Sequence, residues 1–260
     1  MSTALAGPDA ARLFEALEAT WPPAGGDLVG PFRLRRGGGG GQRVSAAVWD
    51  DGAGPLDPAR ARDGLAEAEA RMADWGQVPL FMLRGDADDA LDRILTDLGY
   101  RQSDPSLLLT VPVDRLAGRE LPPLRAILAA PDLAICREIW ADGGVGPARQ
   151  DVIARAPPPA CAILGRLGDM PVGAALVAVD GPIAMVHALH VLPAHRGEGV
   201  GRMMLLRAAH WAAARGCSTL ALAVVAKNAV ARRLFAELGF AQSAGYHYRV
   251  APMRRPLGMS

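Results

Sequence analysis

Apolar positions along the chain fall into two series, and the second repeats the order of the first. In the second series, an apolar run over 183–192 reads as a buried strand that Pro193 ends. Helical spacing follows, with Val200, Met204, Ala208, Trp211 and Ala212 on one face of a helix over 200–215 that Gly216 stops. A continuous apolar strand over 220–225, a helix over 229–238 closed by Gly239-Phe240, and an aromatic strand over 246–249 complete this series. Upstream of it, 124–140 is apolar helical material and 141–150 a polar, glycine-rich stretch. A turn at 157–159 then precedes strands over 161–166 and 172–179 joined through Gly168-Asp169.

The first series reads as helix 9–20, strand 29–36, five glycines over 37–41, strand 42–50, helix 58–75, strand 79–84, helix 88–98 and strand 107–113. The segment Leu91-Asp-Arg-Ile-Leu-Thr-Asp-Leu-Gly-Tyr100 parallels Ala231-Arg-Arg-Leu-Phe-Ala-Glu-Leu-Gly-Phe240 at an offset of 140 residues. Helices 58–75 and 200–215, and strands 79–84 and 220–225, repeat at nearly the same offset, as duplication of one domain would produce. The stretch 112–123 holds three prolines and four charges and is the expected linker. Two mixed α/β domains are therefore expected, at 1–115 and 124–254.

The chemistry concentrates in His187-Ala-Leu-His-Val-Leu-Pro-Ala-His-Arg-Gly-Glu-Gly-Val-Gly-Arg202, where a strand, a glycine loop and a helix start meet. The first amides of a helix lack internal partners and the helix dipole adds positive potential there, so an anion is favoured. Glycines remove the Cβ atoms that would hold a phosphate off those amides. A P-loop would need Gly-Lys-Ser/Thr, and here Arg202 and Met203 follow Gly201; a dinucleotide fingerprint would need glycine where Met204 stands. The five glycines flanked by Arg35, Arg36 and Arg43 read as a hairpin loop, because no helix start follows them.

The spacing Arg196-x-x-Gly199-x-Gly201, with Val191-x-Pro193 upstream, resembles the acyl-CoA pyrophosphate loop of the GNAT superfamily of acetyltransferases. So do an asparagine after the following strand (Asn228), a helix ending in Leu238-Gly-Phe240, and a closing strand. The resemblance covers roughly residues 125 to 252 and implies two tandem GNAT-like domains, each a mixed central sheet flanked by helices, with acetyl-CoA as cofactor. It implies backbone amides near Leu189 and Val191 for the acyl carbonyl and pantetheine arm. Arg196, Gly197, Gly199, Val200, Gly201 and Arg202 would surround the pyrophosphate, and Asn228 would bond the arm or cap its helix. The loop before helix 58–75 carries Asp50, Asp51 and Asp57 and no arginine, so it would repel a pyrophosphate; the first domain is expected to lack the cofactor.

Acyl transfer to an amine needs a base near neutral pH and a proton for the departing thiolate. The resemblance extends to arylalkylamine acetyltransferases, which place a histidine base in His-Ala-Leu-x-Val context, and so points to His187; the alternative is a hydrogen-bonded structural histidine. Strand alternation sends His187 and His190 to opposite faces. Many members carry a tyrosine where Phe235 stands. With Phe235 lining the cofactor and unable to donate, Tyr246 or Tyr248 substitutes, solvent protonates the thiolate, or catalysis is lost. The expected function is acetyl-CoA-dependent N-acetylation of a primary amine by direct attack in a ternary complex; the alternative is a catalytically silent acyl-CoA-binding or sensor protein. Trp140 and Arg149 lie in the region that covers the acceptor in relatives, as packed and solvated residues or as substrate contacts.

Composition adds exclusions. The 260 residues are half apolar and 21% charged with a net charge of +1, which gives no electrostatic argument for nucleic acid or an anionic membrane. No apolar run reaches the roughly 18 residues of a membrane helix. Cys136, Cys161 and Cys217 are odd in number and widely spaced, which suits a reducing cytoplasm and indicates neither disulfides nor a metal site. The acceptor, a small-molecule or peptide amine, and the oligomeric state stay open.

Overall fold

The computed structural model describes residues 7–122 and 124–252. Residues 1–6, 253 and 254 of the expected domains, and Pro123 of the expected linker, lie outside the described residues. In chain order the elements are α1 (Ala10–Ala19), β1 (Gly25–Val29), β2 (Phe32–Arg36), β3 (Val48–Trp49), α2 (Pro58–Asp74), β4 (Leu80–Leu83), α3 (Asp89–Asp97) and β5 (Arg101–Pro112). Next come α4 (Val113–Ala117), β6 (Ala126–Ala129), α5 (Ala134–Asp142), α6 (Pro147–Arg155), β7 (Ala160–Leu167), β8 (Met170–Asp180) and β9 (Ile183–Val191). The chain closes with α7 (Val200–Ala213), β10 (Thr219–Val225), α8 (Ala229–Leu238) and β11 (Ala241–Val250). Among the described residues no helix is long and apolar enough to cross a membrane.

Four sequence expectations change. The segment 29–36 is a hairpin, because Gly30 (φ +53°) turns the chain between β1 and β2. The segment 42–50 is a 3-10 turn at Gln42–Val44 followed by the two-residue β3. The apolar start of 124–140 is the strand β6, paired antiparallel with β7 from Ala126↔Gly165 to Ala129↔Ala162; helix begins only at Ala134. Four apolar residues in a row do not by themselves distinguish strand from helix, and pairing decides. The glycine-rich 141–150 includes the start of α6, with Pro147 in its first turn.

The compact units also differ from the consecutive split at 115 and 124. One unit comprises the chain through Pro22 together with Leu107–Ala244; the other comprises Pro23–Ser106 and the chain from Gly245 onward. Strands β5 and β11 thus each contribute residues to both units. The reason for the first exchange is local. Leu13, Ala16 and Leu17 form the buried face of α1, which packs on β8 and β9, and Arg12 pairs with the Asp180 carboxylate at 2.5 Å.

The unit that ends at Ala244, called here the site unit, has strand order β11-β5-β10-β9-β8-β7-β6. Neighbours from β6 to β9 are antiparallel, and β10 is parallel to β9, so the sheet is mixed. Helix α7 buries Val200, Met204, Leu205, Ala208, Trp211 and Ala212 against it, the face that helical spacing predicts. Close approach is achieved with small residues: a Cβ on Gly173 of β8 would lie 2.9 Å from the Met204 methyl. In the other unit, Phe32, Phe81 and Tyr100 form an edge-to-face aromatic core under α2 and α3. There Asp92 accepts from both His247 and Arg249 of β11.

Candidate active site

The site begins where β9 leaves its parallel neighbour. The β9–β10 register runs from Ile183↔Thr219 to Val186↔Leu222, whereas β9 continues to Val191 and β10 to Val225. The β10-side edge of residues 187–191 is therefore outside that ladder, which suits it to an extended ligand. Alternate apolar side chains fix one face of the sheet on α7. The backbone hydrogen-bonding capacity of the parted edge has to be met by another partner.

A bulge accompanies the parting. Against β8, His187 faces Leu176 and His190 faces Ala174, so three steps along β9 match two along β8. Ala188 absorbs the extra residue with φ +47°, a left-handed conformation a non-glycine residue adopts only when its surroundings impose it. Trp140 of α5 helps impose it, as its indole N–H donates to the Ala188 carbonyl at 2.9 Å. Trp140 is 0% exposed, so it is packed beneath the site rather than presented to a substrate. Arg149 is exposed on α6.

The bulge overturns the expected alternation of the two histidines. Leu176 and Ala174 are two residues apart on β8 and point to the same face, so their partners His187 and His190 share a face as well. That face is the one covered by α1 and α5. His187, only 4% exposed, contacts Thr20 at the end of α1, with Nε2 to Oγ1 at 2.8 Å, and its ring stacks near Trp21 at a 5.0 Å centroid distance. His190 reaches the end of α5, with Nε2 3.2 Å from Asp142 Oδ2, and Asp142 is 48% exposed. Gly143 makes room for that ring: a Cβ there would lie 2.6 Å from His190 Cγ.

After β9 comes the loop. Arg196 turns back so that its Nε donates to the Val191 carbonyl at 3.2 Å, and Gly197 has φ +83°. Gly199 is the N-cap of α7 in the left-handed region (φ +78°) and supplies no side-chain cap. The amides of Val200, Gly201 and Arg202 open the helix, and its first turn holds no acidic residue. The arrangement gathers backbone N–H groups at a dipole's positive end, which favours an anion there. Gly201 has a second role, because a Cβ there would lie 3.2 Å from Leu234 Cδ2 of α8. The Arg202 guanidinium pairs with Glu237 of α8 at 2.7 Å, which leaves its backbone N–H as the group it offers at the helix start. Sequence reasoning missed Arg125, which donates to the Glu198 carbonyl at 3.1 Å and braces the loop from 73 residues away.

The remaining expected residues divide. Asn228 caps α8, its Oδ1 accepting from the Ala231 amide at 3.1 Å, so the expected capping role is present. Leu189 and Val191 are half-buried on the parted strand. Phe235 is buried in the core against Phe240, at 5.8 Å between ring centroids. Tyr246 belongs to the other unit, buried with its ring edge-to-face on Tyr248. Burial pushes the Cys136 and Cys161 thiols up to about 11 and raises Cys217 as well, so these cysteines are poor nucleophiles at neutral pH.

Residues 130–240 match the model of the acetyltransferase (GNAT) family. The fold of the whole chain is similar to that of a GCN5-related N-acetyltransferase from Kribbella flavida, with a TM-score of 0.72 and 22% identity over 96% of this chain and 98% of that one. It is also similar to a tandem GNAT protein from the clavulanic acid biosynthesis pathway, with a TM-score of 0.59 and 18% identity over 89% and 82% of the two chains. A functionally unknown conserved protein from Staphylococcus epidermidis shares the fold at a TM-score of 0.63 and 10% identity, over 88% of this chain and 93% of that one. No curated protein matches the chain.

Proposed function

We propose that the protein is an acetyl-CoA-dependent N-acetyltransferase, a reading supported by the match of residues 130–240 to the model of the acetyltransferase (GNAT) family. In this reading it transfers an acetyl group to a primary amine by direct attack in a ternary complex. The observation that carries the reading is the junction of a parted, bulged β9 with an α7 N-terminus that no side chain caps. Gly197 and the amides of 199–202 would hold the pyrophosphate, Arg196 would stand beside it, the edge of Leu189 to Val191 would bind the pantetheine arm, and Asn228 would contact it. Bound acetyl-CoA supplies an activated acyl group as a thioester. With the three thiols held protonated, no cysteine relay is needed and the amine takes the acyl group directly.

His187 is the proposed base. It stands beside the bulge on the face covered by α1 and α5, and the His190–Asp142 pair on the same face provides a second group able to carry a proton. The depth of Phe235 and the absence of a hydroxyl there favour return of the last proton from solvent or from one of these rings. The same substitution supports the second reading, a silent acyl-CoA-binding or sensor protein. In the first half of the chain we propose a GNAT-like domain that has lost the cofactor. Asp57 there accepts from the amides of Ala59 (2.8 Å) and Arg60 (3.3 Å), so a carboxylate already occupies the start of α2.

The test is calorimetric titration with acetyl-CoA followed by release of free CoA thiol in a panel of primary amines. Binding near one equivalent with amine-dependent release supports the enzyme; binding without release for any amine supports the sensor. Failure to bind removes both readings. Within the enzyme reading, Gly143→Ala is expected to push the His190 ring away from Asp142. Misplacement on the order of 1 Å near a reacting centre costs up to roughly 100-fold. Amine-dependent kcat/KM should fall toward that limit while acetyl-CoA affinity holds. Unchanged kcat/KM would show that His190 takes no part in turnover.

A further inference from the structure

Arg125 immediately precedes β6, and its place is fixed from two sides. Its carbonyl accepts from the Arg166 amide of β7 at 2.9 Å. Its neighbour Ala126 pairs with Gly165, where a Cβ would lie 2.6 Å from Val200 Cγ1, so the first turn of α7 rests on β7 beside Arg125. From there Nη2 donates to the Glu198 carbonyl at 3.1 Å, while Nε is buried with no hydrogen-bond partner among the described residues. A guanidinium swung out into water would satisfy that N–H, and this one is held to the loop instead.

The Glu198 carbonyl and the Gly199 N–H are the two ends of one trans peptide group, so they point in opposite directions. Drawing the carbonyl toward Arg125 turns the Gly199 N–H the other way. The loop's own sequence does not fix that choice. Gly199 has φ +78°, and glycine takes positive and negative φ about equally readily, so this peptide can turn over at little cost. No side chain caps the start of α7 to hold it. A peptide turned over would offer the anion a carbonyl oxygen, which can only accept, in place of a donor.

We propose that Arg125 is a positioning residue for the anion site at the start of α7: by holding the Glu198 carbonyl it keeps the Gly199 N–H turned toward the cofactor's pyrophosphate. The proposal rests on the acetyl-CoA reading given above. Arg125 touches no phosphate in this arrangement and acts on the ligand through the 198–199 peptide. Released from Arg125, that peptide divides between two orientations, of which one alone supplies a donor.

Binding of acetyl-CoA and of S-acetylpantetheine, which keeps the thioester and arm but has no pyrophosphate, tests the proposal. Arg125→Met keeps the apolar stem and removes the donor. It should bind acetyl-CoA roughly ten-fold more weakly, the scale of one hydrogen bond, and S-acetylpantetheine at parental affinity. Arg125→Lys restores a charged donor and should recover most of the loss. Gly199→Ala acts on the same peptide from its other end: the methyl has open space, but φ +78° is strained for it, so alanine also favours the turned-over form. The double variant should therefore lose little beyond either single one. Parental acetyl-CoA affinity in Arg125→Met, equal losses on both thioesters, or single losses that multiply in the double variant overturn the proposal. If the methionine variant does not fold, ¹⁵N-glycine-labelled parental protein decides: the Gly199 amide proton should move strongly downfield on titration with inorganic pyrophosphate, and an unmoved signal overturns the proposal. If the parental chain binds inorganic pyrophosphate but not acetyl-CoA, the acetyltransferase reading fails, and the effect of Arg125→Met on pyrophosphate affinity supports or sinks the Arg125 assignment. Binding of neither sinks both.

Discussion

His187→Ala is expected to lower amine-dependent release of CoA by about 10²- to 10⁴-fold, the usual contribution of a positioned base, with acetyl-CoA affinity nearly unchanged. The proposed cofactor contacts lie on the other side of the bulge, in the edge from Leu189 to Val191 and in the loop. The ring removed belongs to the face covered by α1 and α5. Alanine also leaves a cavity beside Trp21 and removes the ring partner of Thr20 Oγ1, so some stability is lost along with the base. His187→Gln separates the two effects. Its amide can still hydrogen-bond Thr20 and it fills much of the volume, yet it accepts no proton at any pH of interest. Both variants should be slow, and only alanine should melt earlier.

The pH profile sharpens this. A primary amine with a pKa near that of lysine, about 10.4, is almost wholly protonated at pH 7. Without a base, turnover depends on the small fraction of free amine, which grows about ten-fold per pH unit below that pKa. The deficit of His187→Gln relative to the parental protein should therefore shrink as pH rises. A deficit that is constant from pH 6 to 9 would mean that His187 shapes the site without moving the proton.

The elements of the proposed cofactor site were legible because they are local. The strand, loop and helix occupy one continuous stretch, and glycine at 197 and 199 announces backbone angles that other residues avoid. The helical face of α7 and the Leu238-Gly-Phe240 closure were legible for the same reason. The proposed acceptor half was not. One inserted residue in β9 turns His187 and His190 to one face, and no sequence signal marks Ala188 as the residue that takes φ +47°. Trp140, 48 residues away, helps hold it, and that bond to Ala188 can be seen only once the chain is folded. The contacts of Thr20 with His187 and of Arg125 with Glu198 escaped for the same physical reason: each spans a long loop closure rather than lying within one element. The compact units are drawn differently from the expected division at 115 and 124, at α1 and within strands β5 and β11, because periodicity identifies an element but not which sheet takes it.

Gly201→Glu should abolish acetyl-CoA binding while leaving the protein folded, and one charge produces both outcomes. Gly201 is the second residue of α7, where a carboxylate is favoured by the helix dipole by roughly 0.3–1 kcal/mol. The added Cβ meets Leu234 Cδ2 at 3.2 Å, the far end of a flexible side chain, so the backbone need not move far. The same carboxylate would take the amides proposed for the pyrophosphate, as Asp57 does at α2. It would also oppose the phosphate charge: two like charges about 5 Å apart at an effective dielectric near 20 repel by roughly 3 kcal/mol. Affinity should fall by at least about 100-fold, since every 1.4 kcal/mol is a factor of ten. Gly201→Ala, which adds the methyl without the charge, should bind within a few-fold of the parental protein. Thermal denaturation supplies the control: the apo melting temperature of Gly201→Glu should hold or rise, and the stabilisation that acetyl-CoA gives the parental protein should vanish. If the glutamate variant still binds one equivalent at parental affinity, the α7 loop is not the pyrophosphate site. If the parental protein binds two equivalents, the first half of the chain has kept a site of its own despite Asp57.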